Sequence, residues 1–153
     1  MKTDSRLSGV LHMLLHMAEF AEPMPSDALA KLMNTNPVVV RRLLGALRKR
    51  GWVSSEKGPG GGWRLVIELQ QITFFDVYDA LEAPRIFAIG HRDENSGCLV
   101  EKAVNDVMGD SLQAAELLLL ERFKNVSLAD IQRQIQPQLR RWHECRNGKL
   151  KTH

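Results

Sequence analysis

The chain has 153 residues, 44% hydrophobic and 25% charged, with a formal net charge of +3. That suffices for one domain core, or for a domain with an added helical arm. No run approaches the roughly 18 apolar residues of a membrane span, and Met1–Ser5 leads into an amphipathic pattern rather than a signal peptide. The two cysteines, Cys98 and Cys145, are too few for a disulfide scaffold and fit a reducing cytoplasm, so no membrane partner is expected.

From about Ser5 to Ala21, Leu7, Val10, Leu11, Leu14, Ala18 and Ala21 recur at helical spacing, and Glu-Pro-Met-Pro at 22–25 closes the helix. His12 and His16 lie four apart on it, a metal-ligand spacing. With no thiol or carboxylate in the pattern, they read as ordinary surface or packing histidines. Ser26 is placed as the cap of a short helix, Asp27 to Met33, and Asn34-Thr35-Asn36 joins it to the next one.

The stretch from Asn36 to Leu65 is the most informative. It holds Arg41, Arg42, Arg48, Lys49, Arg50, Lys57 and Arg64 against Glu56 alone. That excess is larger than the net charge of the whole chain, so the remainder is net acidic. The expected partner is a grooved polyanion, double-stranded DNA. Asn36 is a good N-cap and Pro37 suits the first helical position. Val40, Leu43, Leu44 and Leu47 share one face, which should pack inward. The opposite face carries Val38, Arg42, Gly45 and Lys49 with Arg41 and Arg48 beside it, residue types that can read a major groove. A basic, solvated helix face is the plain alternative.

Gly51 reads as a left-handed C-cap. Trp52–Glu56 and Trp63–Ile67 read as two strands joined by the Gly-rich run at 58–62, a hairpin in the position of a wing. Lys57 and Arg64 flank its base, where they could reach phosphates or a minor groove. A phosphate-cradling P-loop is excluded, because no Gly-Lys-Ser/Thr follows and the loop leads into a strand.

Beyond the wing, Thr73 and Asp76 form a capping pair for a helix ending near Ala83-Pro84. Residues 84–97 turn polar and irregular. Leu99 to Phe123 then carries apolar residues at helical spacing, including Leu117–Leu120, and Gly109-Asp110-Ser111 is its expected weak point. A helix of this kind, too apolar to face water, either crosses its own core or pairs with a second copy, and the second is favoured. His91 and Cys98 show no third orienting group and no nucleophile motif, so no enzyme is expected.

The pattern Pro37-x-x-Val40-Arg41-Arg42-Leu43-Leu44-x-x-Leu47, with Gly51-Trp52-Val53 and Gly58-Pro59-x-Gly61-Gly62-Trp63-x-Leu65, resembles the Rrf-two family of bacterial winged-helix repressors. Ile72-Thr73-x-x-Asp76-Val77-x-x-Ala80-Leu81-Glu82 and Ser127-Leu128-Ala129-Asp130-Ile131 extend the likeness over roughly residues 6–135. The resemblance implies a homodimer that binds an imperfect palindrome and usually represses. Family regulators cover iron–sulfur assembly, nitric-oxide response and cysteine metabolism. Members that sense through an iron–sulfur cluster carry three cysteines before the long helix. Here only Cys98 stands there, and Glu101 falls where some members have a ligand histidine, so no cofactor is expected.

Cys98 remains a candidate redox-sensing thiol. A helix start with His91 and Arg92 nearby favours the thiolate, while Asp93, Glu94 and Glu101 oppose it, and an inert cysteine is the alternative. Cys145, beside His143 in the polar tail, reads as incidental.

The expected fold is mainly α with a small β-hairpin: a winged helix-turn-helix domain over 1–84, a connecting loop over 85–98, a dimerisation helix and C-terminal helix over 99–136, and a polar tail over 137–153. The expected DNA-binding residues are Asn36, Val38, Arg41, Arg42, Gly45, Lys49, Lys57, Gly60, Gly61 and Arg64, with the homodimer formed through Leu99–Phe123. A winged-helix protein-interaction module that no longer reads DNA is the second reading.

Overall fold

The computed structural model of the chain describes residues 4–95 and 97–149. Its elements are α1 (Arg6–Glu19), α2 (Ser26–Met33), α3 (Pro37–Lys49), β1 (Val53–Glu56), β2 (Gly62–Leu65), a 3₁₀ turn at Leu69–Gln71, α4 (Phe74–Ala80), α5 (Leu99–Lys124) and α6 (Leu128–Lys149). The fold is mainly helical with one two-stranded antiparallel hairpin.

The apolar spacing read in α1, α2 and α3 converges on one core. Val10, Met13 and Leu14 of α1 meet Leu29 of α2, Val40, Leu44 and Leu47 of α3, and Val53 of β1. Leu128 at the start of α6 is fully buried among them, which ties the C-terminal half to the winged unit. Burying a side chain of this size contributes about 1.5–3 kcal/mol. Among the described residues no polar or charged side chain is buried, so this core is held by packing alone.

Two matched capping boxes join the halves. Thr73 Oγ1 accepts from the Asp76 N–H at 3.1 Å while Asp76 Oδ2 accepts from the Thr73 N–H at 2.8 Å. Ser127 and Asp130 repeat the exchange at 3.2 and 2.8 Å. The two N-termini lie side by side, because Phe74 N–H donates to Val126 and Leu128 N–H donates to Ile72, both at 2.9 Å. Each box satisfies donors that a helix start leaves open.

Four expectations about elements need correction. Ser26 is the first residue of α2 rather than its cap; its Oγ accepts from Trp63 Nε1 at 3.0 Å and so fastens the wing. The fourth helix ends at Ala80, not near Ala83, because Glu82 and Ala83 both adopt left-handed backbone (φ 63° and 47°) ahead of Pro84. The long helix does not break at 109–111. Its 26 residues run on for about 39 Å, with Ser111 Oγ donating back to the Val107 carbonyl at 2.7 Å and the His91 ring near Gly109. Finally, α6 continues past Pro137 to Lys149, so position 137 is no boundary between helix and tail. His143 and Cys145 lie among the residues whose side chains are outside the described set.

Candidate nucleic-acid interface

The interface is built on α3. Asn36 caps it: Oδ1 accepts from the N–H groups of Val38 and Val39 at 2.8 and 3.2 Å, with Pro37 next in line. At the other end Gly51 takes φ +77°, its N–H donates to Arg48 and the Trp52 N–H reaches back to Leu47, closing the left-handed stop that the sequence announces. Between these ends Val40, Leu44 and Leu47 are sunk in the core. The remaining face is therefore turned outward: Val38 is 64% exposed, Arg41, Arg42 and Lys49 are exposed, and a methyl group added at Gly45 would meet nothing within 4 Å.

The basic residues of this region divide into two groups. Arg50 is held by Asp79 at 2.8 Å and lies over the Trp52 ring. Arg48 leans to Ser55 Oγ at 3.4 Å and over Trp63. Arg64 pairs with Glu56 along the hairpin at 3.4 Å, a separation better described as an ion pair than a hydrogen bond, and it lines a hollow with Phe20 and Ala21. Among the described residues, Arg41, Arg42, Lys49 and Lys57 enter no ion pair. Arg41, Arg42 and Lys49 thus stand exposed and unpaired on the outward face of α3, and Lys57 is exposed on the hairpin, a distinction that charge counting alone could not make.

The hairpin pairs Val53 with Leu65, Ser54 with Arg64, Ser55 with Trp63 and Glu56 with Gly62. Its glycines have different roles. At Gly61 a Cβ would lie 2.4 Å from the Glu56 carbonyl oxygen, and at Gly62 one would lie 2.5 Å from Met24. Both are demanded by close backbone approach; Gly62 lets Met24 and Trp63 exchange hydrogen bonds of 2.9 and 2.8 Å. Gly60 is exposed at the tip with open space around it. At Gly61, an expected DNA-binding residue, the loop backbone leaves no room for a side chain.

The connecting loop holds Cys98, exposed at the N-cap of α5. Asn105 of α5 fastens the loop by donating to the Asp93 carbonyl at 2.9 Å. The far end of α5 is anchored on α4, where Phe123 stacks edge-on against Phe74 and Tyr78 at 5.7 and 6.4 Å. Among its described residues α5 buries none, and Leu99, Val100, Val104, Val107, Leu117 and Leu118 stand exposed along it. No helix of the described residues is long and apolar enough to cross a membrane.

A capped basic helix after a helical turn, followed directly by a glycine-tipped hairpin, defines a winged helix-turn-helix DNA-binding protein. Comparison with known proteins agrees. Residues 3–134 match the model of the Rrf2 (Rrf-two) family, described as an iron-dependent transcriptional regulator. The HTH-type transcriptional regulator YffB of Lactococcus lactis is 32% identical over 135 residues, 86% of each chain. The regulator YwnA of Bacillus subtilis is 29% identical over 129 residues, 84% of this chain and 95% of that one. A transcriptional regulator from Lactobacillus plantarum, known as a crystal structure, superposes with a TM-score of 0.69 at 23% identity, covering 86% of this chain and 89% of its own. The chain belongs to the Rrf2 family.

The family description implies iron, and the residues here do not fit an iron centre of the cluster type. A cluster takes about four protein ligands, mostly thiolates. The loop before α5 offers Cys98 alone, and among the described residues no three His, Cys, Asp or Glu side chains gather in a metal-holding group.

Proposed function

We propose that the protein is a cytoplasmic homodimer that represses transcription by binding an imperfect palindrome in duplex DNA. The observation that carries this reading is the set of exposed cations without an ion pair: Arg41, Arg42 and Lys49 on the outward face of α3, with Lys57 on the wing. Arg42 and Val38 are taken as base-reading residues, since an arginine can hold guanine by two hydrogen bonds and a valine can meet a thymine methyl. Asn36, Arg41, Lys49, Lys57 and Gly60 fit the phosphate backbone, with Arg64 a weaker member because Glu56 already engages it. The second copy is assigned to α5, whose exposed apolar residues need a cover. A protein-interaction module that no longer reads DNA would be expected to expose more apolar surface on α3 instead of the basic stripe.

Cys98 belongs to this reading as its thiol sensor. It sits where α5 begins, and a change there bears on the helix that sets the distance between the two recognition helices. Peroxide is expected to alter DNA binding of the wild type and to leave Cys98→Ser unchanged; an identical response in both would remove Cys98 from the account.

The test of the main reading is duplex binding measured over a range of salt, with sedimentation of the protein alone. A dimer contacting about six to ten phosphates gives a log–log slope near −0.9 per contact. A slope near zero, or a monomer at micromolar concentration, contradicts it.

A further inference from the structure

α1 and α6 do not close on each other along their whole length. Between them lies a cavity of about 380 Å³, within the range of small-molecule sites. Its walls are Leu15 of α1 and the Ile131, Ile135 and Leu139 stripe of α6, with half-exposed Phe20 at the rim. The α1 side carries the polar groups. Glu19 accepts from Gln132 Nε2 at 2.9 Å, a bond between the two helices that engages one carboxylate oxygen. One and two turns back along α1, His16 and His12 face each other, Nε2 to Nε2, at 2.9 Å. Such a contact needs one ring to accept, so at least one imidazole is neutral. Burial, and then the neighbouring His12, holds His16 below the usual imidazole range. Among the described residues no lysine or arginine lines the cavity and Glu19 enters no ion pair.

We infer that this cavity is a binding site for a lipophilic organic cation, an apolar body of alkyl or aryl groups carrying an ammonium. The apolar side chains take the body, and Glu19, exposed on α1, offers a full negative charge among the described lining residues, with the neighbouring Phe20 ring to face an alkylammonium. A carboxylate ligand would meet Glu19 with like charge. The site also has a route to the DNA-binding unit, because α1 forms that unit's core while α6 leads back through residues 125–127 to α5. An occupant that changes the packing of α6 on α1 changes how α5 is set. This regulatory role rests on the DNA-binding reading above; occupancy of the cavity does not.

The test titrates the full-length protein calorimetrically with decyltrimethylammonium, decanol and decanoate, each below its aggregation concentration. The ammonium is expected to bind once per chain and about threefold or more tighter than decanoate, because the exposed Glu19 carboxylate attracts the one and repels the other. Glu19→Gln is expected to erase that preference while the decanol affinity stays, and Ile135→Trp, filling the cavity, to remove all three; melting curves check that both variants fold. Equal or tighter binding of decanoate, or a preference that survives Glu19→Gln, overturns the inference. If Ile135→Trp is folded and still binds, the site is elsewhere and the inference is also overturned. These titrations contain no DNA, so they stand apart from the DNA reading. Repeated with a bound duplex, the ammonium is expected to shift DNA affinity about fivefold or more, and no shift overturns the regulatory role alone.

Discussion

At Asn36 and Gly45 one helix shows how stability and recognition part company. Asn36 satisfies two backbone donors, so Asn36→Ala is expected to cost about 1 kcal/mol in denaturant unfolding, read with DNA absent. Gly45 does the reverse. Its added methyl meets nothing, and glycine inside a helix costs about 0.5–1 kcal/mol relative to alanine. Gly45→Ala should therefore raise the unfolding midpoint while weakening DNA binding by holding the backbone off the groove. A variant that gained stability and kept full affinity would show that this face does not approach DNA closely. Arg42 and Lys57 separate the two kinds of contact. Arg42→Ala is expected to lose about 1–3 kcal/mol on its best site and relax preference at one position per half-site. Lys57→Ala should weaken all duplexes alike and lower the salt slope by about one. Competition binding with specific and random duplexes distinguishes them.

Among the elements, those whose ends are written locally were legible in the sequence. Asn36-Pro37 and Gly51 bound α3 within a few residues of chain, and Thr73 with Asp76 announces α4. What was not legible depends on contacts far along the chain. At 109–111 α5 runs on unbroken with the His91 ring near Gly109. Which cations stay uncommitted turns on Asp79 reaching Arg50 across 29 residues. The α1–α6 cavity joins residues more than a hundred apart, as the bond from Gln132 to Glu19 shows. The Ser127–Asp130 box supplies a test at this scale. Hydrogen bonds from the Ser127 backbone and side chain, and secondarily Arg133, hold the Asp130 carboxyl below its ordinary value. A depressed folded pKa means that the unfolded chain binds the proton first. The contribution is present above the ordinary carboxylate range and is lost as pH falls through the folded value. Stability followed from neutral pH into acid should fall less steeply for Asp130→Asn than for wild type, and parallel acid limbs would show that the box does not contribute.

For the whole molecule, the winged unit has a complete core while α5 stands out from it with apolar residues uncovered. Leu118 is 75% exposed in the single chain, so Leu118→Glu should leave helix content unchanged but convert a dimer to monomers in sedimentation. Losing the second half-site contact then weakens operator binding about a hundredfold or more. Unchanged association would mean that a different surface joins the copies. The central claim is that two such units place two α3 helices on one face of a duplex. Selection of bound duplexes from a random pool tests it most directly. An enriched inverted repeat is expected, its half-site centres about one helical turn, roughly 34–36 Å, apart; recovery of a single unrepeated site, or no enrichment at all, would contradict the dimeric placement.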